Sequence, residues 1–132
     1  MKKFTIACLL SCMLVILLAG CSKSDTKAKR QVAACTANQK QIIISLMLYA
    51  NENPDKKLPQ DLSQLIHDQQ VLSCPKSSSS YTILPGVTLA ALQSSDSTIP
   101  VICCQAHPDV AVIGYADGHV ETITGPLPAA VK

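Results

Sequence analysis

The chain is 132 residues long, with eleven basic and nine acidic residues, and Lys2 and Lys3 account for its small excess of positive charge. The otherwise neutral chain offers no basic surface for phosphate groups, so we expect no nucleic-acid partner. The length allows one small domain and excludes two. With a single Phe and no Trp, the core has to be built mainly from aliphatic residues.

The N-terminus carries the pattern of a cleaved export signal. Two lysines precede an apolar run from Phe4 to Ala19, and Gly20 stands directly before Cys21. Residues 1–20 resemble the signal peptide of bacterial lipoproteins, which implies cleavage before Cys21 and a diacylglycerol thioether on that cysteine, usually with an acyl chain on its new amino group. The alternative, an uncleaved transmembrane helix, is disfavoured because the run of roughly 15 residues is shorter than the span of about 20 that a bilayer needs.

The lipid would hold the protein in the cell envelope, since two or more acyl chains anchor stably. We expect it on the periplasmic face, and in the outer rather than the inner membrane because Ser22, not Asp, follows the lipidated cysteine. Residues 21–29 read as the lipidated cysteine and a polar linker. The folded domain is expected at residues 30–125, followed by a short tail at 126–132.

One long helix is predicted from Arg30 to Asn51, where neither Gly nor Pro interrupts the chain. Its apolar positions recur at helical spacing. The predicted buried face contains Cys35, Ile42, Leu46 and Tyr49, with Val32, Gln39 and Ile43 at its edges. Pro54 forbids continuation of the helix.

A second, short helix is predicted from Asp61, a good N-cap, to Gln70. The period then changes toward extended structure at 71–75 and at 81–84, while 86–93 fits either a strand or a turn of helix. A strand is predicted at 98–105, with Pro100 placing that end on a sheet edge.

The last pattern is a β-hairpin. The pair Asp117-Gly118 lies between two predicted strands, Asp109 to Ala116 and His119 to Thr124. The pair favours a type I′ turn because that turn needs two residues with positive φ. The order of elements predicts an α+β fold in which one long N-terminal helix and a short second helix pack on a small antiparallel sheet ending in a hairpin.

Four cysteines remain after the signal and Cys21: Cys35, Cys74, Cys103 and Cys104. In an oxidising compartment they are candidates for disulfides. A bridge between the two neighbours would be strained, which leaves Cys35 bonded to either neighbour and Cys74 to the other. One bridge with two free thiols is a further alternative.

A series of residues along the chain resembles a known family. The series runs through Cys35-Thr36-Ala37-Asn38-Gln39-Lys40-Gln41-Ile42, Leu48-Tyr49-Ala50, Asn53, Leu58-Pro59, Leu65, Cys74-Pro75, His107 and, after nine further residues, Asp117-Gly118-His119-Val120. It is similar to the pseudopilin-like proteins of type II secretion and prepilin type that carry a C-terminal H-x9-D-G motif. The resemblance implies a pilin-like fold and partners in secretion or pilus-type envelope machinery. It marks His107, Asp117 and Gly118 as signature positions without a catalytic role.

Those relatives begin with a prepilin leader and an apolar helix, whereas here Gly20 is followed by Cys21 and a polar stretch. We therefore expect a lipid in place of the helix as anchor.

The sequence contains no C-x-x-C redox motif, no G-x-S-x-G nucleophile and no phosphate loop, so we expect no enzymatic activity and no cofactor. Our main interpretation is a lipid-anchored envelope protein that interacts with other proteins. The alternative is a metal-binding or thiol-redox lipoprotein that uses Cys103, Cys104, His107 and His119, whose nitrogen and sulfur atoms suit zinc or copper.

Overall fold

The computed structural model describes residues 23–131. The predicted signal peptide and the lipidated Cys21 lie outside this range. In the described part of the chain, no helix combines the length and the apolar character needed to cross a membrane. The chain divides into two compact units at the boundary between Arg30 and Gln31.

Helix α1 spans Lys23–Glu52. It begins earlier than the predicted start at Arg30. The polar stretch that was predicted to be a linker is helical from Lys23 onward. That stretch contains three lysines, which are good helix formers, and Asp25 in the first turn suits the positive end of the helix dipole. The predicted end is confirmed, since Pro54 follows directly after Asn53, whose amide side chain donates to the carbonyl of Tyr49.

The buried face of α1 is a single stripe at helical spacing. Its fully buried residues are Cys35, Gln39, Ile42, Ile43, Leu46 and Ala50. The sequence predicted most residues of this face correctly, but it misjudged how deeply three of them are buried. Gln39 and Ile43 lie at its centre rather than at its edge, and Tyr49 is only half-buried.

The second predicted helix is reduced to one 3₁₀ turn at Leu62–Gln64. Asp61 is its N-cap, as predicted, and accepts a hydrogen bond from the backbone of Ser63. The expected continuation to Gln70 is wrong. The carboxylate of Asp68 accepts from the backbone N–H of Gln70 at 2.9 Å, and such a local bond competes with helix formation.

The segment between this turn and the sheet is largely irregular. Two isolated bridges join Ser73 to Ser80 and Ile83 to Ile102, so the extended pieces predicted at 71–75 and 81–84 make single bridges rather than strands. The undecided segment at 86–93 contains helix α2, Leu89–Ser94, which is capped by the Thr88 side chain.

Three antiparallel strands follow, and each pairs with the next one along the chain. They are β1 at Pro100–His107, β2 at Val110–Tyr115 and β3 at Val120–Thr124. Pro100 is the first residue of an edge strand, as predicted. The hairpin between β2 and β3 is confirmed, but its turn is not type I′.

In this turn Gly118 alone has a positive φ, of 90°, and Asp117 does not. The N–H of Gly118 donates to the carbonyl of Tyr115, so the loop is a type I turn followed by a bulge at the glycine.

Helix α1 packs closely against the sheet at Gly114 in β2. A Cβ atom built there would overlap Cδ1 of Ile43 and lie 3.2 Å from Oε1 of Gln39. The Gln39 side chain also donates to the carbonyl of Val112 at 3.0 Å, which fixes the helix to the middle strand. The α+β class and the long helix on a small antiparallel sheet are therefore confirmed.

Candidate functional site

Four buried side chains meet between α1 and the sheet. They are Cys35, Cys74, Cys104 and His107, and their sulfur and ring nitrogen atoms all lie within 4.8 Å of one another. We call these four residues the Cys/His cluster. They come from four separate positions along the chain, so the cluster exists only when the domain is folded.

Helix α1 contributes Cys35 from the N-terminal end of its fully buried stripe. The hydroxyl of Tyr81 donates to Sγ of Cys35 at 3.0 Å, and Nε2 of Gln39 lies 3.8 Å from the same sulfur. Tyr81 is itself buried, and its backbone N–H donates to the carbonyl of Leu72. The first sulfur of the cluster therefore faces two hydrogen-bond donors.

A short loop between Leu72 and Tyr81 contributes Cys74. The amide of Asn38 on α1 donates to the carbonyls of Gln70 and Ser73, at 3.0 and 3.3 Å, and so fixes the approach of this loop to the helix. After the cysteine the chain turns, and the backbone N–H of Lys76 points at Sγ of Cys74 at 3.4 Å.

Strand β1 contributes both Cys104 and His107. Residues three apart on a regular strand face opposite sides. Here the pairing shifts between Cys104, opposite Val112, and His107, opposite Val110, so β1 contains one extra residue. This bulge turns His107 to the face that Cys104 occupies, and Nε2 of His107 lies 3.6 Å from Sγ of Cys74.

Cys103 lies apart from the cluster. It pairs with Ile113, whereas Cys104 pairs with Val112, and only Val112 belongs to the core against α1. The neighbours thus face opposite sides of β1. Both two-bridge pairings would require Cys103 to reach the other face of the strand. The four cysteines of the described residues are free thiols in the structure.

Neighbouring groups shift the titration of the cluster. A hydrogen bond from Cys104, together with those from Tyr81 and Gln39, lowers the pKa of the Cys35 thiol below its usual range although burial opposes this. The same bond to Cys35 and burial raise the pKa of Cys104. Burial, with a smaller contribution from the Lys76 charge, lowers the pKa of His107 and favours its neutral form. Within the cluster, the pKa of Cys35 is therefore shifted toward the thiolate form and the pKa of His107 toward the neutral imidazole.

His119 lies on the surface at the hairpin turn. Its ring stacks on Tyr115 with centroids 4.4 Å apart, and Nδ1 is paired with the carboxylate of Asp117. Hydrogen bonds from the backbone and ring of His119 hold the pKa of Asp117 below its usual range. These contacts stabilise the turn and do not involve the cluster.

Of the four metal ligands considered from the sequence, Cys104 and His107 belong to the cluster and Cys103 and His119 do not. Reasoning from the sequence considered Cys35 and Cys74 only as disulfide partners of Cys103 and Cys104, and not as metal ligands. One signal was present, since Cys35 fell on the predicted buried face of the helix. The bulge that turns His107 inward had no signal in the sequence.

The structure also separates the signature residues of the H-x9-D-G motif. His107 ends β1 and lies in the cluster, while Asp117 and Gly118 form the turn after β2. The nine residues between them consist of the short turn before β2, the six residues of β2 and Ala116, so the two parts of the motif lie at opposite ends of that strand.

Comparisons with models of protein families, with curated proteins and with solved structures gave no match for this chain. Arguments about function therefore depend on the residues themselves.

Proposed function

We propose that this protein is anchored in the cell envelope by lipid on Cys21 and that its head domain docks on other envelope proteins, in secretion or pilus-type machinery. The observation that carries the anchor is the sequence Leu18-Ala19-Gly20-Cys21 at the end of an apolar run. The pilin-like character of the head is part of this proposal, supported by the order of a long helix followed by an antiparallel sheet.

The docking role is supported by the outward face of α1. Ile44 and Leu48 are large apolar side chains with exposed fractions of 44% and 58%. Because they are four residues apart, they lie on one side of the helix. With the turn at 117–119 as the opposite wall, they border a groove of 450 Å³. An apolar pair beside a groove is suited to receive an apolar side chain of a partner.

The anchor is tested by replacing Cys21 with Ser. We expect the variant to accumulate as unprocessed precursor in the inner membrane, because the lipid is added to the cysteine sulfur. Cys12→Ser, which changes a cysteine inside the apolar run, is the matched control and should mature normally. Normal processing of the Cys21→Ser variant would contradict the lipoprotein assignment.

The docking surface is tested in cells by placing a photo-crosslinking amino acid at Leu48. We expect a cross-link to a component of secretion or pilus-type machinery. The same amino acid at Ala34, which is exposed on the same helix, is the control and should give no such product. Failure to cross-link from Leu48, or equal products from both positions, would contradict docking through this face.

A further inference from the structure

We propose that the Cys/His cluster binds one zinc(II) ion, with Sγ of Cys35, Cys74 and Cys104 and Nε2 of His107 as its four ligands. This site is independent of the proposed anchoring and docking. Three cysteines and one histidine in tetrahedral arrangement are a donor set typical of closed structural zinc sites.

The spacing of the four atoms suits a tetrahedral ion. Zinc–sulfur bonds of about 2.3 Å and zinc–nitrogen bonds of about 2.0 to 2.1 Å put two ligand sulfurs about 3.8 Å apart and a sulfur and a nitrogen about 3.5 Å apart. In the structure Nε2 of His107 lies 3.6 Å from Sγ of Cys74. None of the four atoms is more than 4.8 Å from another, so small side-chain movements close the site.

A disulfide explains less of this arrangement. A single bond between any two cluster cysteines would leave the third thiol and the buried His107 without a role, and Cys103 lies on the other face of β1. A zinc ion uses all four groups. It also gives a reason for the bulge in β1, which turns the imidazole toward the three sulfurs.

The surroundings of the sulfurs are those of thiolates. Three thiols lose three protons when they bind one zinc ion, so the occupied site has a net charge of −1. The hydroxyl of Tyr81 and the backbone N–H of Lys76 point at two of the sulfurs, and the amide of Gln39 approaches Cys35. Such outer donors offset the charge and orient the ligands.

Burial gives the site a structural rather than a catalytic character. All four ligands are buried, and four protein ligands leave no position for water or substrate. The ion would connect α1, the loop after Leu72 and strand β1. Its removal should therefore loosen the whole domain rather than one loop.

The test uses the full mature lipoprotein in detergent, purified under nitrogen with a phosphine reductant and without chelator. We expect elemental analysis to find about one zinc per chain. After removal of zinc, added cobalt(II) should saturate at one equivalent and give the visible spectrum of a tetrahedral ion with a strong sulfur-to-cobalt band. Chelation should lower the melting temperature.

The ligand assignment is tested with matched pairs of variants. Cys104→Ser should weaken cobalt binding by more than about 100-fold, beyond the 10- to 100-fold loss that is typical of an outer-shell group. The neighbouring Cys103→Ser should not weaken it. In the same way His107→Gln should weaken binding, whereas His119→Gln should leave it unchanged.

Several results would overturn the proposal. One is a protein that contains no zinc and gives no tetrahedral cobalt spectrum. Another is a disulfide between two cluster cysteines in protein purified without reductant. A third is equal loss of cobalt binding in Cys103→Ser and Cys104→Ser. The ligand set can be tested even if a variant does not fold, because the cobalt spectrum of the unmutated protein reports the number of bound thiolates. A sulfur-to-cobalt band too weak for three thiolates contradicts the proposed ligands.

Discussion

Replacement of Gly114 with Ala tests a close contact between α1 and the sheet. Its φ is not in the positive region, so Ala is compatible with its backbone, and the effect of the added methyl group is steric. That group would overlap Cδ1 of Ile43, a side chain with no exposed surface. Overpacking of a well-filled core typically costs about 1 to 3 kcal/mol.

In a domain of this size, each kcal/mol lowers the melting temperature by about 4 to 8 °C. The assay is thermal unfolding of the single variants Gly114→Ala and Ile43→Val and of the double variant. Ile43→Val removes the obstructing carbon, and alone it should cost about 0.5 to 1.5 kcal/mol.

We expect the double variant to lose less stability than the sum of the losses in the two single variants, because the shortened side chain of residue 43 makes room for the methyl group. A neutral Gly114→Ala, or strict additivity in the double variant, would refute the steric argument.

The hairpin turn supports two further predictions. Gly118→Val should cost about 1 to 2 kcal/mol because a β-branched residue is forced to positive φ, whereas Gly118→Asn should be milder, and thermal unfolding of both variants checks this order. His119→Gln should reduce stability only slightly, since the stacking on Tyr115 and the pairing with Asp117 that it removes lie at the surface, and a large loss accompanied by weaker cobalt binding would instead place a metal at the turn. A last prediction concerns acid: the pKa values of Asp61, Asp96 and Asp117 lie below their usual range because each accepts hydrogen bonds from the residue two positions on. Since the folded pKa values are lower than the unfolded ones, the stability that these carboxylates contribute is complete above about pH 4 and is lost as the pH falls through the folded pKa values. Asp117→Asn should therefore make the melting temperature depend less steeply on pH in this acidic range. An unchanged dependence would contradict this reasoning.

Sequence patterns predicted the elements whose causes are local. The long helix has an uninterrupted apolar period and a proline beyond its end, and the hairpin has a glycine where positive φ is needed. The prediction of the second helix was wrong because the carboxylate of Asp68 accepts a hydrogen bond from the backbone N–H of Gln70, which competes with helix formation. The predicted turn type was wrong because an Asp-Gly pair is compatible both with a type I′ turn and with a type I turn followed by a glycine bulge. The pair alone does not distinguish the two.

The Cys/His cluster could be predicted only in part, because two of its features are not local. Cys35 and Cys74 lie near Cys104 only through the packing of α1 and the loop on the sheet, and periodicity gives no such distances. The orientation of His107 depends on one extra residue in a strand. Counting alternate positions along β1 would have placed this side chain on the opposite face from Cys104.

The composition of the domain gives a physical reason why such a site would be useful. The only Phe of the chain is Phe4, outside the described residues, so the core has no large ring apart from tyrosine. The buried tyrosine, Tyr81, has its hydroxyl directed at Cys35. Small domains with thin aliphatic cores commonly depend on covalent or metal cross-links. An ion held by four distant residues would supply that link between the helix and the sheet, and the stability of the head would then depend on zinc in its compartment.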